Sequence, residues 1–150
     1  MRGLQGRFDR SALLDADDVW RVGSALAVPE NRHIAIRNVT SAISGYFEAG
    51  CELGVVSWVF ARAELYQPVI DALSNRVDSI QQIYLVAAPE ILAARLTERG
   101  DAGRTAYALS RLELIQALPF TKLDTSHLNP TQVVERICQA IAPSTVLRSQ

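Results

Sequence analysis

Three carboxylates follow a short apolar run near the start of the chain. In ALLDADDVW, residues 12–20, the run ends at Asp15, and Asp17 and Asp18 follow within three positions. Carboxylates this close together repel one another unless a cation or a positively charged ligand lies beside them. They can accept a proton from a hydroxyl group or hold Mg²⁺ through water; the structural alternative is that they cap a helix start. Their place at the end of a predicted strand favours the functional interpretation.

Arginines around a glycine-bearing segment, GDAGRT at 100–105, form a second candidate group. They are Arg95, Arg99, Arg104 and Arg111. Arg95 and Arg99 are four residues apart and share one face of a predicted helix. Arginine binds phosphate oxygens in a bidentate manner, and a lid that closes over a substrate carries such charges on a mobile segment. A solvated helix face paired with nearby glutamates explains these arginines equally well.

Polar residues also follow two other predicted strands. Arg62 comes after the SWVF run and is expected at the same sheet edge as the aspartates. In KLDTSHLNP, residues 122–130, Asn129 and Pro130 are typical of an N-cap and the first position of a helix. Thr125 and Ser126 are not explained by that cap. The two histidines, His33 and His127, are predicted to be surface residues because neither has a second histidine nearby.

These groups must be positioned by alternating strands and helices. Strands are predicted at 11–15, 53–60, 81–87 and 120–124, and helices at 29–50, 62–74, 89–99, 106–117 and 129–141. The alternation predicts an α/β fold of three layers, a parallel sheet with helices on both faces. The apolar LGVVSWVF run predicts a strand buried on both faces. Ligands of such sheets bind beyond the carboxyl ends of the strands, where the three aspartates are expected.

Length and composition limit the classes of function. A chain of 150 residues is one domain, here predicted over 11–142, with tails at 1–10 and 143–150 and a lid-like segment at 100–117. The net charge of −1 gives no electrostatic basis for nucleic-acid or membrane-surface binding. Cys51 and Cys138 are far apart and outside any CxxC motif, which predicts reduced thiols in a cytoplasmic protein.

Five segments together resemble the small P-loop kinases. They are ALLDADDVW, YFEAG, GVVSWVFAR, IYLVAAPEILAARLTERGD and TKLDTSHLNPTQVVERI. Their order and spacing are similar to those of AAA-type nucleotide and small-molecule kinases, which are related to shikimate kinase, adenylylsulfate kinase and chloramphenicol phosphotransferase. The resemblance runs from Ser11 to Ile141. It implies an ATP-dependent phosphotransferase that acts on a small-molecule or nucleotide acceptor, with Mg²⁺ and ATP as cofactors.

The resemblance also implies roles for individual residues. Asp15 or Asp17 would be the general base, and Asp17 would anchor Mg²⁺ through water. The implied substrate-binding residues are Asp18, Arg37, Asn38 and Arg62. The implied nucleotide-binding residues are Arg95, Arg99, Arg104, Thr125, Ser126 and Leu128.

The sequence departs from this family in one respect. The family begins with a strand, a GxxxxGK[ST] loop whose N–H groups cradle the phosphates, and a helix. This chain has no GK pair, and its only lysine is Lys122. The expectation is that Met1 is not the natural start and that a unit of about 30 residues or more precedes it.

Two consequences follow from the missing first strand. Without its phosphate cradle the chain is expected to bind no cofactor tightly and to be inactive. The family places that strand in the middle of the sheet, so the strands at 53–60 and 81–87 would either pair directly or leave open edges that favour self-association. The alternative function is a non-catalytic kinase-like domain that binds a ligand or a protein.

Overall fold

The computed structural model describes residues 2–5, 7–23, 26 and 29–141, in which short strands alternate with helices. The strands are β1 (Ser11–Asp15), β2 (Leu53–Ser57), β3 (Ile83–Val86) and β4 (Thr121–Asp124). The helices are α1 (Arg2–Gln5), α2 (Arg32–Glu48), α3 (Ala63–Leu73), α4 (Pro89–Glu98), α5 (Thr105–Gln116) and α6 (Pro130–Ile141). Single 3₁₀ turns lie at Pro29–Asn31 and Ala102–Arg104. The predicted strands and helices are all present, and α1 adds a short helix in the segment predicted to be a tail.

The four strands form two separate parallel pairs. β1 pairs with β2 in a register that runs from Ser11 opposite Leu53 to Asp15 opposite Ser57. β3 pairs with β4, and Val86 lies opposite Asp124 at the end of that pair. Among the described strands, β2 and β3 are not hydrogen-bonded to each other. The predicted parallel pairing is therefore confirmed, and of the two arrangements left open for β2 and β3 the structure adopts the open edges.

β2 is shorter and more exposed than its sequence predicts. The predicted strand covers 53–60 and is buried on both faces, whereas β2 ends at Ser57 and all five of its residues are only partly buried. Val59, just beyond the strand, is 50% exposed. Among the described strands β2 is paired with β1 alone, so solvent reaches its other edge, which accounts for the partial exposure of all five residues.

The core of the first strand pair is built on α2. Its residues Ala35, Val39 and Ile43 are spaced four apart and are all at most 1% exposed. They face β1 and α3, and the core cluster there consists of Leu14, Ala16, Val39, Ile43, Val69 and Leu73. Ala16 follows directly on β1 and is fully buried. The core therefore fixes the backbone at the point where the three aspartates begin.

Aromatic side chains join the second strand pair to α3. The ring of Tyr84 on β3 stacks on Phe120 at 5.8 Å, and Tyr66 of α3 meets Phe120 edge-on at 5.1 Å. The Tyr84 hydroxyl donates to the main-chain carbonyl of Phe60, 2.8 Å away. Burial raises the pKa of Tyr84 to about 12. Side chains, rather than strand pairing, therefore hold the two strand pairs beside each other.

The remaining helix ends follow sequence signals. Gly50 has φ +90°, a conformation that side-chain-bearing residues rarely adopt, and α2 ends just before it. At the start of α6, Asn129 Oδ1 accepts from the Gln132 N–H and Gln132 Oε1 accepts from the Asn129 N–H, which makes a reciprocal cap.

In the described part of the chain, none of the helices combines the length and the apolar character needed to cross a membrane.

Candidate functional site

The three aspartates lie in a tight turn that we call the acidic loop, residues 15–18. The Ala16 N–H donates to the Ser57 carbonyl at 2.9 Å, so the pairing of β1 with β2 extends one residue into the loop. The Asp18 N–H donates to the Asp15 carbonyl at 3.0 Å, and the Asp17 N–H donates to Asp15 Oδ1 at 3.1 Å. The loop is therefore held by the sheet on one side and by its own hydrogen bonds on the other.

Each aspartate of the acidic loop has a hydrogen-bonding partner. Asp17 Oδ1 accepts from the indole N–H of Trp58 at 3.1 Å, and Trp58 follows directly on β2. Arg21 pairs with Asp18, and this contact raises the pKa of Arg21. Asp15 holds the Asp17 amide as described above. The mutual repulsion expected for these carboxylates is thus partly offset inside the molecule, while Asp17 and Asp18 remain exposed to solvent.

Of the other predicted substrate-binding residues, Asn38 joins the acidic loop. Its side-chain amide donates to the Val19 carbonyl at 3.1 Å and ties α2 to the chain that leaves the loop. Arg37 is its neighbour in sequence but is exposed on α2. Arg62 lies just before α3, where its guanidinium is 3.8 Å from Glu64. The structure therefore brings together the three aspartates and Asn38, and gives Arg62 a partner in the first turn of α3.

A second polar cluster lies at the end of β4, in the 124–128 loop. Thr125 is 6% exposed, and both its N–H and its hydroxyl donate to the Val86 carbonyl, at 2.8 and 2.9 Å. The Ser126 hydroxyl donates to Asp124 Oδ1 at 2.6 Å and accepts from the Ala88 N–H at 2.8 Å. Because Ala88 immediately precedes α4, this loop caps the start of that helix.

The contacts of Ser126 also change the acidity of Asp124. Its hydroxyl and its main-chain N–H both donate to the Asp124 carboxylate, which lowers the pKa of Asp124, and His127 and Arg95 lower it further. The carboxylate therefore stays ionised to a lower pH than an ordinary aspartate does.

Arg95 is the arginine that reaches this loop. Its guanidinium donates to the Thr125 carbonyl at 2.6 Å, to the Thr125 hydroxyl at 3.1 Å and to the Ser126 carbonyl at 3.4 Å. Three residues predicted to bind nucleotide, Arg95, Thr125 and Ser126, are therefore in direct contact. In this arrangement the charge of Arg95 is directed at main-chain carbonyls of the loop.

The arginines of the lid-like segment lie on the surface. Arg99 pairs with Asp101 at 2.6 Å, and its side chain is 71% exposed. Arg104 is exposed at the start of α5, and Arg111 stacks 4.8 Å from the centre of the Tyr107 ring. Gly100, between these groups, has φ +80°. Leu128 is partly buried, and its N–H donates to the Thr125 carbonyl.

The described residues do not by themselves fit a site for ATP and Mg²⁺. Within residues 2–5, 7–23, 26 and 29–141, no group of three or more histidines, cysteines or acidic residues is arranged to hold a metal ion. Mg²⁺ is commonly bound by one or two carboxylates together with phosphate oxygens of the substrate, and the whole sequence lacks the GK pair of a phosphate-binding loop.

Trp58 joins the site through a contact with Asp17 that the sequence did not predict, although the sequence allows Trp58 to line a pocket with Trp20 and Phe60. Its sequence context predicts a core residue, and its ring does pack at 5.5 Å edge-on to Phe60. Its indole N–H nevertheless binds Asp17. The need of a partly buried indole N–H for an acceptor, and the position of Trp58 at a strand end beside the aspartates, are the signals that point to this contact.

Comparison with known proteins places the fold. The tunicamycin resistance protein of Deinococcus radiodurans has a similar solved structure, with a TM-score of 0.65 and 20% sequence identity. The match covers 93% of this chain and 85% of that one. This chain has a kinase-like α/β fold. No protein-family model matches the sequence, and no curated protein matches it.

Proposed function

We propose that this chain carries the acceptor-binding portion of a kinase-like phosphotransferase for small hydroxylated molecules or nucleotides. The observation that carries the proposal is the acidic loop: carboxylates at the carboxyl end of paired parallel strands, one of them oriented by an indole N–H, in a kinase-like fold. Ligands of parallel sheets bind at that edge. The rigid backbone around Ala16 and Ser57 would keep the carboxylates in place for a substrate.

In this proposal Asp17 accepts a hydrogen bond from an acceptor hydroxyl. Its second carboxylate oxygen is available for this bond, because Oδ1 is the one held by Trp58. A carboxylate in that position can take the hydroxyl proton as the oxygen attacks, which is general base catalysis. Asp15 would assist by holding the Asp17 amide, and Asn38 by fixing the chain that follows the loop.

The arginines form the proposed nucleotide side of the reaction. Arg99 and Arg104 are exposed near Gly100, and arginine side chains on a segment that closes could contact phosphate oxygens. Arg95 would act through the 124–128 loop, whose position it fixes. ATP and Mg²⁺ are proposed for the reaction as a whole, whereas the described residues alone do not form their site.

The test is a binding assay with a panel of probes, followed by a transfer assay. Nucleosides, sugars, hydroxylated aromatic compounds and tunicamycin, which gives the structural neighbour its name, are added to the Trp20→Phe variant, in which Trp58 is the remaining indole. We expect one class to change Trp58 fluorescence and Asp17→Asn to weaken that binding about tenfold, the loss expected for a hydrogen bond to a charged group.

Asp78→Asn is the matched control, because Asp78 is an exposed aspartate outside the acidic loop. It should bind the same probe with unchanged affinity. With labelled ATP and the bound probe, this chain by itself should transfer no phosphate at a useful rate. If no probe binds, or if Asp17→Asn binds as tightly as the control, the acidic loop is not an acceptor site.

A second candidate function is supported by the internal contacts of the site. Because Arg95, Asp17 and Asp18 are all paired within the molecule, and because no phosphate-binding motif is present, a non-catalytic kinase-like binding domain is the alternative. In that case a probe or protein would bind, and a longer form of the protein would still transfer no phosphate.

A further inference from the structure

The connection between β2 and α3, residues 58–62, supplies the group that orients one carboxylate of the acidic loop. Trp58 is its first residue, and the Trp58 indole N–H donates to Asp17 Oδ1 at 3.1 Å. The direction of this N–H depends on where the indole ring lies. Whatever fixes the ring of Trp58 therefore also fixes the carboxylate oxygen that the N–H binds.

The ring of Phe60 packs against the Trp58 indole. The two rings meet edge-on, with centroids 5.5 Å apart and an angle of 85° between their planes. This is a preferred arrangement of aromatic pairs, and it contributes more than the apolar area that it buries. Both rings are partly buried and pack against the core cluster of the first strand pair. A shift of Phe60 would therefore be transmitted to the indole.

The Tyr84 hydroxyl fixes the main chain at Phe60. It lies 2.8 Å from the Phe60 carbonyl and 3.4 Å from Gln82 Oε1, and the shorter distance identifies the carbonyl as the main acceptor of its single proton. Tyr84 is 8% exposed, and burial raises the pKa of Tyr84 to about 12, so the hydroxyl remains a donor at neutral pH. For the main chain of residues 58–61, this is the hydrogen bond that the described part of the protein provides.

We propose that Tyr84 is a positioning residue for Asp17. Its hydroxyl holds the Phe60 carbonyl, the ring of Phe60 holds the Trp58 indole, and the indole N–H orients Asp17 Oδ1. Tyr84 lies on β3, in the second strand pair, so this series of contacts makes the geometry of the acidic loop depend on the other pair. The inference rests on the proposed function in taking Asp17 as the carboxylate that binds the acceptor.

The place of Tyr84 on β3 relates the two proposed sides of the reaction. Two residues after Tyr84, the Val86 carbonyl accepts from the Thr125 N–H of the 124–128 loop, which belongs to the proposed nucleotide side. The spacing between the acceptor carboxylate and that loop is therefore set in part by one hydroxyl. In a transfer reaction the reacting groups must be held at near-contact distance, and a misplacement of about 1 Å costs rate.

Tyr84→Phe tests the proposal, because it removes the hydroxyl and keeps the ring that stacks on Phe120. It is made in the Trp20→Phe background, in which Trp58 gives the one indole N–H signal in NMR spectra. We expect Tyr84→Phe to displace the Trp58 Nε1–H resonance in the same direction as Asp17→Ala, which removes the carboxylate itself. The exchange of that N–H with solvent should become about fivefold faster, the ratio that corresponds to the loss of one ordinary hydrogen bond.

Tyr66→Phe is the matched control. It removes a hydroxyl from the same aromatic cluster, where Tyr66 meets Phe120 edge-on, and it leaves the bond between Tyr84 and Phe60 in place. It should leave the Trp58 resonance and the exchange of its N–H unchanged. The resonance position is measured in the folded protein, so a change in global stability alone does not move it.

Phe60→Leu tests the second link in this series of contacts. Leucine keeps the carbonyl that Tyr84 holds and removes the ring that meets Trp58. We expect Phe60→Leu to displace the Trp58 resonance as well. Adding Tyr84→Phe to it should displace the resonance little further, because the effects of residues that act through one another are not additive.

Two results would overturn the proposal. One is a Trp58 resonance that is the same in Tyr84→Phe, Tyr66→Phe and the background protein, which would show that the core alone places the indole. The other is a displacement in Tyr84→Phe that adds fully to that of Phe60→Leu, which would show that the hydroxyl does not act through the Phe60 ring. If Tyr84→Phe does not fold, Phe60→Leu decides, and an unmoved resonance there refutes the proposal.

All of these spectra are recorded on the protein without an acceptor. Failure of the acceptor panel would therefore leave them unaffected, whereas an unmoved Trp58 resonance would leave the acceptor proposal standing. The two proposals fail separately.

Discussion

Replacing Arg95 by methionine separates a structural role of this arginine from a purely ligand-binding one. Its guanidinium makes two hydrogen bonds of 2.6 and 3.1 Å to Thr125 and a longer one to Ser126. A hydrogen bond to a charged group contributes about 1.5–3 kcal/mol. In the variant the Thr125 carbonyl still accepts from the Leu128 N–H, and the Thr125 hydroxyl still donates to the Val86 carbonyl. Neither group of Thr125 is therefore left without a partner. We therefore expect Arg95→Met to lower the free energy of unfolding by about 2–3 kcal/mol.

Thermal unfolding followed by circular dichroism measures this effect. For a chain of this size, each kcal/mol corresponds to about 2–4 °C in Tm, so the expected shift is a fall of about 4–12 °C. Arg99→Met is the matched control, one helical turn away on the same chain segment. Its exposed pair with Asp101 should contribute less than about 1 kcal/mol. If both variants unfold within about 2 °C of the unaltered protein, Arg95 does not hold the loop, and the structural reasoning is wrong.

Two further predictions concern packing and pH. A Cβ at Gly54 would lie 2.9 Å from Phe47 Cζ, so Gly54→Val should lower the free energy of unfolding by about 1–3 kcal/mol in urea titrations. The control Gly45→Ala lies on an open helix face and should raise the free energy of unfolding by about 1 kcal/mol. Equal effects of the two substitutions would contradict the packing of Gly54 against Phe47. Because the pKa of Asp124 is lowered below its usual 3.8, its bond to the Ser126 amide should persist below that pH and be lost as the pH falls through the lowered pKa. The hydrogen-exchange protection factor of the Ser126 amide, measured by NMR, should fall in the unaltered protein as the pH passes through the lowered pKa of Asp124. It should be independent of pH in Asp124→Asn. A protection factor that does not change in the unaltered protein would show that the Asp124 carboxylate does not hold this amide.

The positions of strands and helices were predictable because local signals determine them. Gly50 ends α2 through a positive φ, Asn129 and Pro130 open α6, and the helix spacing of Val39 and Ile43 marks a buried face. One local signal was misleading: proline usually breaks or kinks a helix, but Pro68 lies inside α3 without ending it. The exposure of β2 was not predictable from its own residues, because burial of an apolar strand depends on what pairs with its edge. The sequence alone predicts a fully buried strand for LGVVSWVF.

The sequence predicted where the residues of the candidate site lie better than it predicted which groups they contact. The strand pattern placed Asp15 and Asp17 at the carboxyl end of a strand, and the structure shows them there. The partners of those residues depend on side-chain directions that spacing does not determine, as the Trp58–Asp17 bond shows. Arg95 illustrates the same limit: the sequence marks it as a phosphate ligand, while the fold directs it to the carbonyls of Thr125 and Ser126.

The acidic loop and the 124–128 loop lie at corresponding ends of the two strand pairs. The Ala16 N–H donates to the Ser57 carbonyl at the end of β2, and the Thr125 N–H donates to the Val86 carbonyl at the end of β3. In both pairs the first residue after a strand therefore extends the pairing by one hydrogen bond and fixes the loop that follows. The same main-chain geometry thus positions the carboxylates of one loop and the hydroxyls of the other, while the Tyr84–Phe60 hydrogen bond holds the two pairs beside each other.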